Sequence, residues 1–351
     1  MKNRFLLYGV TGYTGGLIAR RAVERRMNPV AAGRDGAKVS AFAAPLGLSA
    51  RSFSLDADSE AIDRCLDDVA VLLNAAGPFA ATAPPLAEAC LRTGTHYLDL
   101  AGEVPEFEAM ERLDERAVEA DVMLLPGVGF GVVPTDCLAA LLKKKLPSAT
   151  RLRLAFEAVG GVSQGTLATL FKDIRQEGMH RRGSVLVSVE PGVELLQIDL
   201  GNGARTAVSN PWRGDLVTAW HSTGIPAIDT YTVFPPLVRW MMRSAFAGWL
   251  LKKPSAKAML NGLIQRLPAG PSEKQLHAGA TWIWGSAEDP MGQRVEGRIS
   301  GPEAYLFTAE TALRLATKAL SGNAPAGFQT PVTAYGADLM KEIPGVRVVV
   351  G

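Results

Sequence analysis

The chain has 351 residues, 47% of them hydrophobic and 21% charged, with a net charge of +2. That length is too great for one compact layer and calls for two domains, while so small a net charge, with no recognisable motif, argues against nucleic-acid binding. Cys65, Cys90 and Cys137 are an odd, widely spaced set, which excludes a disulfide framework and fits a reducing cytoplasm.

Phe5-Leu6-Leu7-Tyr8 reads as an apolar strand, too short for the core of a signal peptide and leading straight into a turn. The turn is Gly9-Val10-Thr11-Gly12-Tyr13-Thr14-Gly15, and a helical apolar face at Leu17, Ile18, Ala22 and Val23 follows it. Strand, glycine turn, helix and a second strand ending at Gly33-Arg34 make the opening βαβ unit of a dinucleotide-binding fold. Gly9 permits the tight turn, Gly12 leaves the backbone open to a pyrophosphate, and Gly15 lets the helix pack closely. The helix N-terminus points N–H groups at the phosphates. Gly9, Thr11, Gly12, Tyr13, Thr14 and Gly15 therefore open the cofactor-binding set; the alternative is a fold that lost its ligand and kept its glycines for packing.

NAD-specific sites carry an acid at the end of the second strand, where this chain has Arg34 with Asp35 one step beyond. A guanidinium suits a 2′-phosphate, so NADP(H) is favoured over NAD(H). A helix over residues 36–46 and a strand over 51–55 follow, with Asp56 placed to face the adenine. After a helix near 59–66, Val69–Asn74 reads as a strand buried on both faces. The turn Asn74-Ala75-Ala76-Gly77-Pro78-Phe79 should pass under the nicotinamide half of the cofactor. A helix over 84–92 leads to a short strand at His96-Tyr97-Leu98-Asp99, and Tyr97, Asp99 and Glu103 at its end are the candidates for a proton source. The alternative is that Asp99 and Glu103 cap the next helix or hold a domain interface. A strand over 122–125, the turn Pro126–Gly131 and a helix from Pro134 complete the first domain.

Gly9–Gly15, Ala32-Gly33-Arg34, Asn74–Phe79, Ala89-Cys90, Gly94–Glu103 and Gly127-Val128-Gly129-Phe130 with Pro134-Thr135-Asp136, in that order, resemble the saccharopine dehydrogenase-like oxidoreductases. Gly160-Gly161 with Gly165-Thr166, and Gln329-Thr330-Pro331 with Gly336, resemble that family's second-domain and closing segments. Within it the chain is similar to short bacterial members related to the trans-acting enoyl reductases. The resemblance implies an α/β architecture: a Rossmann domain over 1–130, a substrate and dimerisation domain of mixed or antiparallel sheet over 131–329, and a return to the Rossmann domain over 330–351. It also implies an NAD(P)-dependent oxidoreductase acting as a homodimer.

The residues beyond 150 agree. Arg151–Glu157 alternates as a half-buried strand, with further strands expected at Val185–Val189, Glu194–Leu200, Ala280–Trp284 and Arg294–Ser300. Helices at Gln164–Gly178 and Glu303–Leu320 should cover one face of an α+β domain. Thr230–Ser272 stands out: Arg239, Arg243, Lys252, Lys253, Lys257 and Arg266 lie among Trp240, Met241, Phe246, Trp249, Leu250 and Leu251, without an acid. Its two readings are an amphipathic helix meeting lipid at a membrane surface or an acyl carrier, and a domain-packing or dimer helix.

No Tyr is followed by Lys four positions on, and His96, His180, His221 and His277 lack zinc-ligand spacing, so no metal is expected. Two function classes remain. One is a reductase of an imine, carbonyl or enoyl group on an apolar small-molecule substrate; the other is a redox-inactive dinucleotide sensor or scaffold.

Overall fold

In the computed structural model, which describes residues 2–173, 177–190, 192, 194–244 and 253–351, the chain divides into two units. The first is Met1–Val133 with Tyr305–Gly336; the second is Pro134–Ala304 with Ala337–Gly351.

The first unit is built on β1 (Arg4–Tyr8), β2 (Val30–Gly33), β3 (Ala50–Ser52), β4 (Val69–Asn74), β5 (His96–Asp99) and β6 (Met123–Leu125). With Gly327–Phe328 added beside β6, they form a parallel sheet whose order from the other edge is β3-β2-β1-β4-β5-β6. Leu6 and Leu7 of β1 and Leu72 and Leu73 of β4 are fully buried, because helices cover both faces of such a sheet. Strand order reverses between β1 and β4, so the crevice at their carboxyl ends is where this topology places a ligand.

The helix after β4 begins at Phe79, not near Pro84, and runs to Thr93 with Pro84 and Pro85 inside it. Its first turn is closed before the prolines are reached, by Ala81 and Thr82 N–H groups donating to Pro78 O. The prolines, lacking N–H groups, forgo two later backbone bonds.

The second unit's sheet centres on β7 (Arg151–Val159), with β8 (Gly178–Arg182), β9 (Val185–Val189), β10 (Leu195–Asp199), β11 (Ala204–Ser209), β12 (Ala227–Thr232), β13 (Ala280–Glu288) and β14 (Arg294–Pro302). The order is β10-β11-β12-β7-β13-β14 and then Arg347–Val350, with β8 paired to β12 and β9. β7 and β12 run parallel and the other pairs antiparallel, a mixed sheet in an α+β unit. Trp284, Tyr231, Ile198 and Ala207 form a buried cluster on it.

Three expectations are corrected. The helix from Gln164 stops at Asp173 among the described residues, and Gly178 opens β8; a Cβ there would lie 2.3 Å from Pro211 Cγ. The helix Ala304–Leu320 belongs from Tyr305 onward to the first unit, where Thr311 Oγ1 donates to Val128 O at 2.8 Å. The chain therefore re-enters that unit well before residue 330. Its last stretch lies in the second unit, because Arg347–Val350 pairs with β14.

Candidate dinucleotide-binding site

β1 ends in a turn made almost wholly of backbone. Gly9 adopts φ +94°, a conformation L side chains rarely adopt, and a Cβ on it would lie 2.8 Å from Ala76 N. Gly12 N–H donates to Gly9 O at 3.0 Å. A Cβ on Gly15 would sit 2.3 Å from that same oxygen, so the helix Tyr13–Glu24 rests directly on the turn. Gly12 differs from both neighbours: a Cβ there meets only Gly9 O, at 3.4 Å. The space beside Gly12 is open, as close approach of a pyrophosphate requires. No side chain caps this helix and no acid lies in its first turn, leaving its positive end to an anion. Thr11 and Gly12 are exposed and Tyr13 and Thr14 half-buried, with the Tyr13 ring edge-on to Tyr305 at 5.2 Å.

The second turn follows β4 and is braced against the first, since Ala75 N–H donates to Tyr8 O at 2.8 Å. Asn74 is fully buried and acts as a strut. Its Oδ1 accepts from Ala76 N–H at 3.0 Å, and its Nδ2 donates to Thr82 Oγ1 at 3.0 Å and Tyr97 Oη at 3.2 Å. Thr82 in turn donates to Ala76 O. Ala75 and Ala76 are half-buried and Gly77 and Pro78 exposed, while Phe79 starts the helix.

Tyr97 and Asp99 lie on one face of β5 with no exposed surface. Tyr97 Oη donates to Asp99 Oδ2 at 2.9 Å, and Asp99 Oδ1 accepts from the Ala101 and Gly127 N–H groups, each at 2.9 Å. Burial pushes the Asp99 carboxyl up to about 6 against the pull of those amide and hydroxyl donors, and burial together with the Asp99 charge raises the Tyr97 hydroxyl well above its ordinary value. These two residues fix the turns after β5 and β6, and neither has surface exposed to solvent. Glu103 is separate and half-buried. It starts the helix Val104–Glu111 without capping it, and its Oε2 accepts from Gly102 N–H at 3.1 Å.

At the end of β2 the two charged residues part ways. Asp35 caps the helix Gly36–Ala43: Oδ1 accepts from Lys38 N–H at 3.1 Å and Oδ2 pairs with Lys38 Nζ at 3.2 Å. Those bonds hold its carboxyl below the usual range. Arg34 is exposed and makes no ion pair among the described residues. Its charge is felt at Tyr8, as is that of Asp56, which lies exposed beyond β3. Tyr8 itself escaped the sequence reading: its hydroxyl donates to Phe53 O at 3.2 Å and its ring stacks on Phe53 at 4.9 Å, pinning β1 beside the end of β3.

In the second unit, Asp229 of β12 is fully buried and meets His180 Nδ1 at 2.8 Å, Arg182 Nη2 at 2.5 Å and Arg151 Nη2 at 3.3 Å. Burial opposes its ionisation, but the His180 and Arg182 contacts outweigh it and bring the carboxyl down to about 2. Gly161-Val162-Ser163-Gln164-Gly165 has the spacing of a nucleophile elbow. Ser163 instead caps the helix Gln164–Asp173, its Oγ accepting from Thr166 N–H at 3.2 Å. Among the described residues no cluster could hold a metal ion, and no helix is long and apolar enough to cross a membrane.

Residues 5–125 match the family described as the saccharopine dehydrogenase NADP binding domain. This part of the chain belongs to that family. The domain also resembles two curated proteins: a trans-acting enoyl reductase of Mycobacterium ulcerans, 28% identical over 37% of this chain and 33% of its own length, and a saccharopine dehydrogenase-like oxidoreductase of Homo sapiens, 23% identical over 40% and 37%. The chain thus matches about a third of the length of each relative. In fold, apo saccharopine dehydrogenase (L-Glu forming) of Saccharomyces cerevisiae superimposes over 99% of this chain and 100% of its own, with TM-score 0.70 and 12% identity. The saccharopine dehydrogenase-type NADP binding domain and the mixed-sheet unit thus occur together in a known structure.

Proposed function

We propose that the protein is an NADP(H)-dependent oxidoreductase that delivers hydride to an imine, carbonyl or conjugated double bond of an apolar, acyl-type substrate. The observation that carries the reading is the division of labour at the end of β2: Asp35, the acid that could have bonded a ribose hydroxyl, is taken up in capping, while Arg34 stands exposed without an ion-pair partner. In this reading Gly9, Thr11, Gly12, Tyr13, Thr14 and Gly15 hold the pyrophosphate, and Arg34 takes the 2′-phosphate with Asp56 beside the adenosine. The turn Asn74–Phe79 underlies the nicotinamide. When bound, NADPH supplies the hydride. Glu103, half-buried, is the residue we assign to proton delivery, with Tyr97 and Asp99 positioning the turn that leads to it. The names borne by the relatives, enoyl reductase and saccharopine dehydrogenase-like oxidoreductase, support the reaction class.

The burial of Tyr97 and Asp99 favours a second reading, a dinucleotide sensor without turnover, because it leaves a single candidate acid. NADPH oxidation followed at its absorbance band, with acyl substrates bearing enoyl, carbonyl or imine groups, separates the two. Substrate-dependent oxidation lost in Glu103→Gln supports the reductase. Tight NADPH binding with no oxidation by any of the three classes would establish the sensor.

A further inference from the structure

Two helices of the second unit, Pro236–Arg243 and Pro254–Arg266, turn large apolar side chains to solvent. Leu237 is 67% exposed, Trp240 54%, Met259 66%, Leu263 51%, and Leu267 just beyond them 48%. Elsewhere among the described residues, the large apolar side chains so exposed are valines apart from Leu195 and Met291. Singly scattered apolar residues are ordinary, but Leu237 and Trp240 stand three apart on the first helix and Met259 and Leu263 four apart on the second, so each pair shares one side of its helix. Their other sides pack inward: Val238, Met241 and Met242 meet Phe171, Trp212, Phe234 and Val208, and Ile264 is buried. The helix Gln164–Asp173 ties both to the unit, through Phe171 on one and through Gln164, bonded to the Gln265 and Leu267 carbonyls, on the other.

Charge identifies the occupant. Thr230–Ser272 holds six basic residues and no acid. Phe246, Trp249, Leu250, Leu251 and Lys252, which the sequence reading counted in this segment, lie outside the described residues. Beside Trp240 an open pocket of about 490 Å³ is lined by Leu195, Pro236, Arg239, Trp240, Arg243 and Ser244. Arg239 Nη1 reaches Thr206 O at 3.4 Å, and its buried Nε has no hydrogen-bond partner among the described residues. We propose that this face docks on the surface of an anionic lipid bilayer, with a headgroup phosphate received between Arg239 and Arg243. Leu237, Trp240, Met259 and Leu263 enter the interface, where a Trp ring is at home. A two-fold contact with a second copy would set this basic segment against itself, so the bilayer is the occupant that its charge complements. The inference is independent of the cofactor reading.

The test is sedimentation of the full chain with phosphatidylcholine vesicles made with and without phosphatidylglycerol. The anionic vesicles should capture at least about tenfold more protein, and release it near 1 M salt, where the screening length is about 3 Å. Arg239→Gln with Arg243→Gln should lose most of that capture, Arg239→Lys with Arg243→Lys should keep it, and Trp240→Ala with Leu237→Ala should lose it at low salt. All three should melt within a few degrees of wild type. Equal capture by neutral and anionic vesicles, no capture, or a double Gln variant that binds like wild type overturns the proposal. So does a wild-type dimer that Trp240→Ala dissociates without any vesicle binding.

Discussion

The glycine turn of the first unit and the Asp229 cluster of the second both organise polar atoms away from water, with opposite materials. The first uses backbone: Gly9 O and Gly12 N–H close the turn, and the nearby Asp99 carboxyl has only two amides and a phenol to offset its burial, which lifts it to about 6. The second uses side chains, two guanidiniums and the His180 imidazole, which meet Asp229 and bring it down to about 2. The one carboxylate there is spent on its own neighbours. A turn made of amide groups has a fixed shape and an unspent positive end, which is what a polyanionic cofactor needs.

The contrast can be broken most sharply at Gly12. Gly12→Val should abolish NADPH binding while leaving the melting temperature nearly unchanged. Gly12 has φ −81° and ψ 162°, which a valine adopts easily, and a Cβ meets nothing closer than 3.4 Å. Calorimetry and a thermal melt check both halves. Asp229→Asn should destabilise by about 3 kcal/mol near neutral pH, because it leaves buried His180 and two guanidiniums without their anion. With its folded pKa below the ordinary value, Asp229 stabilises above about pH 4 and that stability is lost as pH falls through about 2. The gap between variant and wild type in chemical denaturation should therefore shrink in acid.

Gly15→Ala has the opposite character to Gly12→Val. Alanine gains about 1 kcal/mol of helix propensity, but its Cβ would lie 2.3 Å from a backbone oxygen that has no flexible end to yield. The clash wins, and a net loss of about 2 kcal/mol is expected in urea unfolding. Asp99 gives the most diagnostic effect. Its folded pKa of about 6 lies above the ordinary carboxylate value, so wild-type stability should fall as pH rises from about 4 to about 6 and then level. Asp99→Asn should lack that slope; a slope that persists would place the titrating group elsewhere.

The same contrast explains what the sequence disclosed. Gly9 and Gly15 stand where a Cβ would meet backbone, so their spacing between an apolar strand and an amphipathic helix located the turn, and the unbroken apolar runs of β1 and β4 announced a sheet covered on both faces. Residue types that packing tolerates were harder to read. β12 escaped notice because its buried Asp229, Thr230 and Thr232 break the apolar alternation that marks a strand, being satisfied by partners far away in sequence. Pro84-Pro85 hid a helix whose first turn was already closed, and the two-residue strand Gly327–Phe328 is too short to carry a pattern. Tyr97 and Asp99, two apart on one strand, had to share a face. That the face was buried depended on amides from Ala101 and Gly127, which no spacing reveals.

The central claim is that a dinucleotide with a 2′-phosphate binds the glycine turn with Arg34 at its rim, and titration calorimetry tests it directly. NADPH and NADH would each be added to wild type and to Arg34→Ala. A charge-assisted hydrogen bond lost with the guanidinium is worth about 1.5–3 kcal/mol, so NADPH should bind the variant roughly 10- to 150-fold more weakly while NADH affinity stays within about twofold. Equal weakening of both cofactors, or wild-type protein that binds NADH as tightly as NADPH, would contradict it.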